Sequence, residues 1–254
     1  MTLITGILCD NSIVMAADSA ATFATTTGSP TIKQSVKKLE IVDNQIIMGV
    51  SGQVGTAQLF QDDLQNLVSS RKIINKPIAQ TMSTIGDHFR NHVEKSLKLA
   101  ASLGDARGAY CSTLVAMPIS NKPTLIEFDQ LCQPERKTDQ IPFVSIGSGQ
   151  YLADPFLALL RRVFWPKERP SFAQGLFATV WTLEHCTTVS PAFVAAPIQI
   201  AVLEKSGDTY KARELSDEEL EEHKEACSDA EDYLSEYGKP KAEPIPQVPK
   251  PASE

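Results

Sequence analysis

Residues 1–22 read MTLITGILCDNSIVMAADSAAT, and the organisation of the chain follows from them. Leu3-Ile4 and Ile7-Leu8 flank Thr5-Gly6, Asp10-Asn11 break the run, and Ile13-Val14-Met15-Ala16-Ala17 resume it. Two short strands joined by a tight turn fit this pattern, the second apolar throughout and so covered on both faces. Asp18 follows directly. A carboxylate carried into a partly buried place needs a cation beside it, because an unpaired buried charge is too costly to keep.

Outward from this pair, Thr22 to Gln34 is polar and reads as a loop. Val36–Val42 and Gln45–Val50 then form a second strand pair around Asp43-Asn44. From Gly55 the period lengthens. Ala57, Phe60, Leu64, Leu67 and Val68 share one helical face. Ile78, Met82, Ile85, Phe89, Val93 and Leu97 form a longer stripe, with Pro77 near its start, where a missing N–H is harmless. Strands return at 109–118 and 123–129 and, after a loop holding Pro134, at Phe143–Ile146. Gly147-Ser148-Gly149 opens a helix to about Trp165, and a fourth helix carries Phe172, Leu176, Val180 and Leu183. Ile198 to Leu203 is the closing core strand. Strands, two helices, strands, two helices and a strand form segregated blocks rather than alternating βαβ units. The expected class is α+β, a four-layer αββα sandwich of two sheets with helices outside.

That core is expected to occupy residues 1–213. Residues 214–237 read as an acidic helix, N-capped by Ser216 and with Glu218 and Glu219 at the positive end of its dipole. Residues 238–254 carry five prolines and no aromatic, so they are expected to be extended and disordered. The net charge of −7 argues against a general nucleic-acid binder, which needs clustered Lys and Arg. No apolar run approaches the ~18 residues that span a bilayer, and the start lacks a basic region. A soluble, cytoplasmic protein is therefore expected. Cys9, Cys111, Cys132, Cys186 and Cys227 are odd in number with no CxxC pair, which reads as reduced thiols.

Four blocks carry a family resemblance: Thr2 with Gly6; Ala17-Asp18-Ser19 followed by Ala21-Thr22; Lys37-Lys38; and Gly49-Val50-Ser51-Gly52. Ile146-Gly147-Ser148-Gly149 before a helix is a fifth. In this order and spacing they resemble proteasome β subunits and the bacterial HslV-type peptidase, over roughly residues 2–205, with bacterial proteasome homologues lacking a propeptide as the nearest kind. The loop between Asp18 and Lys38 is a few residues longer than in that pattern. The resemblance implies the N-terminal nucleophile hydrolase version of the four-layer sandwich.

It also implies a chemistry. A hydroxyl is a weak nucleophile until a base takes its proton. Thr2, once Met1 is removed, would supply both the hydroxyl and an α-amine of pKa about 8 as the base. Lys38 would lie beside the hydroxyl and lower its pKa, and Asp18 would hold the ammonium. On a strand Lys37 and Lys38 point to opposite faces, so only one turns inward. The Gly52 N–H would form the oxyanion hole. Ser148 matches the family serine near the nucleophile's amine, and an N-cap of the following helix is its alternative. Val50 would floor the pocket for the substrate side chain, with Ala21, Val36 and Val54 lining it; apolar lining implies hydrophobic preference. Thr22 would pair with substrate backbone in strand fashion.

One stretch departs from the family. An Asp, a Ser and Gly-Gly usually precede the last core strand, whereas Val189-Ser190-Pro191-Ala192-Phe193-Val194-Ala195-Ala196-Pro197 stand here, with only Ser190 to substitute in part. His88 and His92 sit at i, i+4, a metal-ligand spacing, but with no third ligand nearby in sequence; neither metal nor cofactor is expected.

The resemblance thus implies a threonine-type endopeptidase acting on unfolded protein or peptide. It would work from a homo-oligomeric assembly of two stacked seven-membered rings, with six-membered rings as second choice. An ATPase unfoldase is compatible with it, and no nucleic-acid or membrane partner is implied. A weakly active or inactive ring scaffold and a small-amide amidohydrolase of the same fold are the alternatives.

Overall fold

The computed structural model describes residues 2–24, 30–102, 110–192, 194–237 and 239, with the side chains of 22–24 and 30–33 left aside. Its elements in chain order begin with β1 (Ile4–Leu8), β2 (Ser12–Ala17), β3 (Ala20–Ala24), β4 (Pro30–Ser35), β5 (Leu39–Val42) and β6 (Ile46–Ser51). Helices α1 (Val54–Ser69) and α2 (Ile78–Ser102) follow, then β7 (Ser112–Ile119), β8 (Lys122–Phe128), β9 (Pro134–Arg136) and β10 (Phe143–Ile146). Helices α3 (Gln150–Phe164) and α4 (Phe172–Val189) lead to β11 (Gln199–Ser206), β12 (Thr209–Glu214) and α5 (Asp217–Tyr237).

Strand alternation builds the layers. Successive side chains of a strand point to opposite faces, so a strand apolar at every position feeds two cores. In β2, Ile13, Met15 and Ala17 pack between the sheets, while Val14 and Ala16 pack under helices. In β7, Leu114 and Ala116 join the inter-sheet core, and Val115 and Met117 face the other helix pair. One sheet has the order β10-β1-β2-β11-β12 and the other β5-β6-β7-β8-β9, all pairs antiparallel. Leu157 and Leu160 of α3 and Leu176 and Val180 of α4 cover the first sheet. Phe60 and Leu64 of α1 and Phe89 and Val93 of α2 cover the second. The result is the α+β four-layer sandwich. Each such side chain fully buried contributes about 1.5–3 kcal/mol.

The structure differs from the sequence reading in places. Part of the expected loop Thr22–Gln34 is ribbon: β3 and β4 pair antiparallel, Ala20 opposite Ser35 and Ala21 opposite Gln34. The ribbon belongs to neither five-stranded sheet, so its sequence carries no alternating apolar signal. Val36 to Lys38 are not strand; β5 begins at Leu39. β9 and β12 went unread. In β12 only Tyr210 and Ala212 are buried, as befits a polar edge strand.

Beyond β12, Ser216 caps α5 reciprocally: its Oγ accepts the Glu219 N–H at 3.2 Å, and Glu219 Oε2 accepts the Ser216 N–H at 2.9 Å. The helix buries Leu220 and Cys227, and Trp181 Nε1 of α4 donates to Glu231 at 2.7 Å. The Pro-rich segment 238–254, Lys239 apart, lies outside the described residues, as do Phe193 and residue 109. Among the described residues no helix is long and apolar enough to cross a membrane.

Candidate active site

β1 and β2 pair with Ile4 opposite Ala17, which sets Asp18 level with Leu3 at the strand tips. The Asp18 N–H donates to the Leu3 carbonyl at 3.1 Å, and Asp18 Oδ1 accepts the Leu3 N–H at 2.8 Å. The same oxygen accepts the Lys38 ammonium at 2.6 Å. Oδ2 accepts the N–H groups of Ala20 at 3.1 Å and Ala195 at 3.4 Å. Asp18 is fully buried and the Lys38 side chain only 7% exposed, so the ion pair is held largely out of water with the carboxylate surrounded by donors. Removing one partner of such a pair leaves a buried charge uncompensated, at a cost of about 3–5 kcal/mol.

Lys38 is also held by its backbone. Its N–H donates to Gln199 Oε1 at 2.9 Å, and Gln199 Nε2 donates to Ser19 Oγ and to the Val36 carbonyl, both at 2.6 Å. Ser19 Oγ donates in turn to the Pro197 carbonyl at 2.5 Å. Gln199 opens β11 opposite Ala17, so the last core strand locks the segment that carries Lys38. The sequence reading missed Gln199, whose only signal was an amide between Ile198 and Ile200 in an apolar run.

On the other side of β1, Ile4 pairs with Ile146 of β10. Gly147 has φ +97, and a Cβ there would lie 2.3 Å from the Thr2 carbonyl oxygen. Only glycine fits that close approach. The Thr2 backbone N–H, joined here to Met1, donates to Ser148 Oγ at 3.0 Å, and the Thr2 carbonyl accepts the Gly149 N–H at 3.1 Å. Gly149 is the N-cap of α3, with no side-chain capping bond, so the Ser148 hydroxyl serves Thr2 rather than the helix.

Thr2, Lys38 and Gly52 line one cleft of about 380 Å³, together with Ala21, Val36, Val50 and Val54. The side chain of Thr22 lies outside the described residues. Glu40, Met48, Gln58 and Gln61 also line the cleft, and the sequence reading had named none of them. Lys37 directs its ammonium to Glu214 at 2.6 Å, and this hydrogen bond raises its pKa. In the departing stretch, the contacts to Asp18 and Ser19 come from backbone groups: the Ala195 N–H, the Ala195 carbonyl (accepting the Ser19 N–H at 3.1 Å) and the Pro197 carbonyl. His92 Nε2 hydrogen-bonds Asp63 at 2.8 Å and His88 lies 3.9 Å from the same carboxylate, tying α2 to α1. Among the described residues no group of three or more His, Cys, Asp or Glu is arranged to hold a metal ion.

The family model described as proteasome subunit matches residues 2–162. The chain belongs to the proteasome subunit family. Solved structures share the fold of this proteasome-family chain. Anbu (ancestral beta-subunit) from Yersinia bercovieri superimposes with a TM-score of 0.70 at 13% identity, covering 96% of this chain and 100% of that one. A Gly-1 mutant of Anbu from Hyphomicrobium sp. strain MC1 gives 0.65 at 17% identity, with the same coverage. At such identities the likeness is one of fold. Among curated proteins, none matches the sequence significantly. The family expected from the Thr2, Asp18, Lys38 and Gly52 blocks is therefore borne out, and so is its α+β sandwich.

Proposed function

We propose that this proteasome-family chain is a threonine-type endopeptidase subunit that cleaves peptide bonds of unfolded proteins, with Thr2 as nucleophile once Met1 is removed. The freed amine takes the Thr2 hydroxyl proton as the oxygen attacks the scissile carbonyl. The Lys38 ammonium stabilises the charge on that oxygen, and the Gly52 N–H receives the carbonyl oxygen of the tetrahedral intermediate. The amine then protonates the departing peptide amine, and water hydrolyses the ester left on Thr2. No cofactor is required.

The observation that supports this reading is the shared Asp18 oxygen, which accepts both the Lys38 ammonium and the N–H of Leu3, the residue after Thr2, in a cleft that Thr2 and Lys38 both line. Subunits would close into two stacked rings of seven, or of six, in the cytoplasm, with an ATPase unfoldase as a compatible partner. Ring closure would confine cleavage to chains already unfolded. Peptidase activity of wild type against Thr2→Ala, measured on material whose assembly mass is known, tests the proposal. Full activity in Thr2→Ala defeats the nucleophile, and a monomer defeats the ring. A ring scaffold of low activity is the second reading, favoured by the backbone-only bracing from Ala195 and Pro197.

A further inference from the structure

Lys38 and Glu40 are two residues apart where β5 begins, and Glu40 sits opposite Met48 on β6, with Val50 two positions on. Glu40, its cross-strand partner Met48 and Val50 share one sheet face, while Lys38 lies in the segment just before β5. Across the cleft, Val54, Gln58 and Gln61 are i, i+4 and i+7 of α1 and share a helix face. All of them line the cleft that holds Thr2.

The charged residues of this lining are Lys37, Lys38 and Glu40. Lys38 is bound to Asp18 at 2.6 Å and Lys37 to Glu214 at 2.6 Å; neither carboxylate lines the cleft. Glu40 lies 3.8 Å from the Lys37 ammonium, which Glu214 already holds more closely. Its side chain remains 32% exposed. Among the described residues, the cleft therefore presents one weakly compensated carboxylate beyond an apolar floor, flanked by two amide side chains.

We propose that this cleft selects a basic side chain, arginine above lysine, on the N-terminal side of the scissile bond. The apolar stem of arginine packs on Val50 and Val54, and its guanidinium reaches Glu40, with the Gln58 and Gln61 side-chain carbonyls as further acceptors. A half-desolvated charged hydrogen bond is worth about a factor of ten in affinity. Val50 and its neighbours alone would favour a hydrophobic side chain; the Glu40 carboxylate at the cleft is what shifts the proposal to a basic one. The inference rests on the proposed function, since it takes the cleft beside Thr2 as the substrate side-chain pocket.

Acetylated tripeptides identical but for a final Arg, Leu or Asp, titrated into Thr2→Ala protein, read the cleft without cleavage. The Arg peptide should bind about tenfold more tightly than the Leu peptide and the Asp peptide weakest, with the Arg advantage shrinking as salt rises. In the double variant with Glu40→Gln the Arg-to-Leu ratio should fall to about one, and with Glu40→Arg the Asp peptide should bind best. Equal binding, tighter binding of the Leu peptide, or an Arg advantage that survives Glu40→Gln would overturn the proposal. Failure of a peptide epoxyketone to label Thr2 in wild-type protein instead counts against the threonine nucleophile, and the two failures are distinguishable because the titration needs no catalysis.

Discussion

The Lys38 ammonium and the Leu3 N–H meet on one oxygen of Asp18, at 2.6 and 2.8 Å. The two nitrogens are thus no farther apart than the sum of these distances, which ties a lysine from the segment just before β5 to the residue that follows Thr2. Lys38→Met should lower kcat/KM by at least about 10²-fold through loss of transition-state charge stabilisation. It should also destabilise the fold by about 3–5 kcal/mol in urea unfolding, because Asp18 stays buried without its cation. Lys38→Arg should restore part of the stability and little of the activity, since a planar fork does not replace a point charge.

Gln199 acts through Lys38. Gln199→Leu keeps roughly the same volume but removes the acceptor of the Lys38 N–H and the donor to the Val36 carbonyl, two part-buried hydrogen bonds worth about 0.5–1.5 kcal/mol each. A positioning role predicts a fall in kcat larger than the change in KM for a peptide substrate. A purely structural role predicts reduced stability with both kinetic constants intact in the folded fraction.

Gly147→Ala places a Cβ 2.3 Å from the Thr2 carbonyl at a left-handed φ of +97. Thr2 must move away from Ser148. The expected result is a folded protein of lower Tm whose peptidase activity falls by 10-fold or more, in line with about 1.4 kcal/mol per tenfold of rate. Activity at the wild-type level would show that the Thr2 position tolerates displacement.

The sheets were legible because β2, β7 and β11 feed two cores and must be apolar on both faces, a pattern that survives in sequence. β12 and the β3–β4 ribbon were not, because edge and outlying strands are specified by backbone pairing more than by side-chain type. At the site, Thr2, Asp18, Lys38 and Gly52 were readable as spaced blocks. Gln199 and the place of Glu40 in the cleft were not, since each depends on neighbours that the fold supplies: Gln199 on β2 and the segment before β5, Glu40 on α1. The N-cap alternative for Ser148 could be decided only once Thr2 was seen to lie against it.

The buried thiols give a pH-dependent test. Burial raises the Cys9 and Cys227 thiols from about 9 to about 12 and Cys186 to about 11. The folded state then holds protons that the unfolded state has lost, so this contribution is intact below pH 9 and declines as pH rises from 9 toward 12. Tm should fall across that alkaline window. A thiol-reactive disulfide reagent at pH 8 should leave these three cysteines unmodified in native protein and modify them in urea. Rapid native labelling would contradict their burial.

The central claim is that a freed Thr2 presents amine and hydroxyl together at the Lys38 end of the cleft. A peptide epoxyketone tests this most directly, because its stable adduct needs both groups of one N-terminal residue. Mass spectrometry of the treated protein should show loss of Met1 and one inhibitor joined to Thr2 through nitrogen and oxygen. Retained Met1 with no adduct, or an adduct on any residue other than Thr2, would contradict the account.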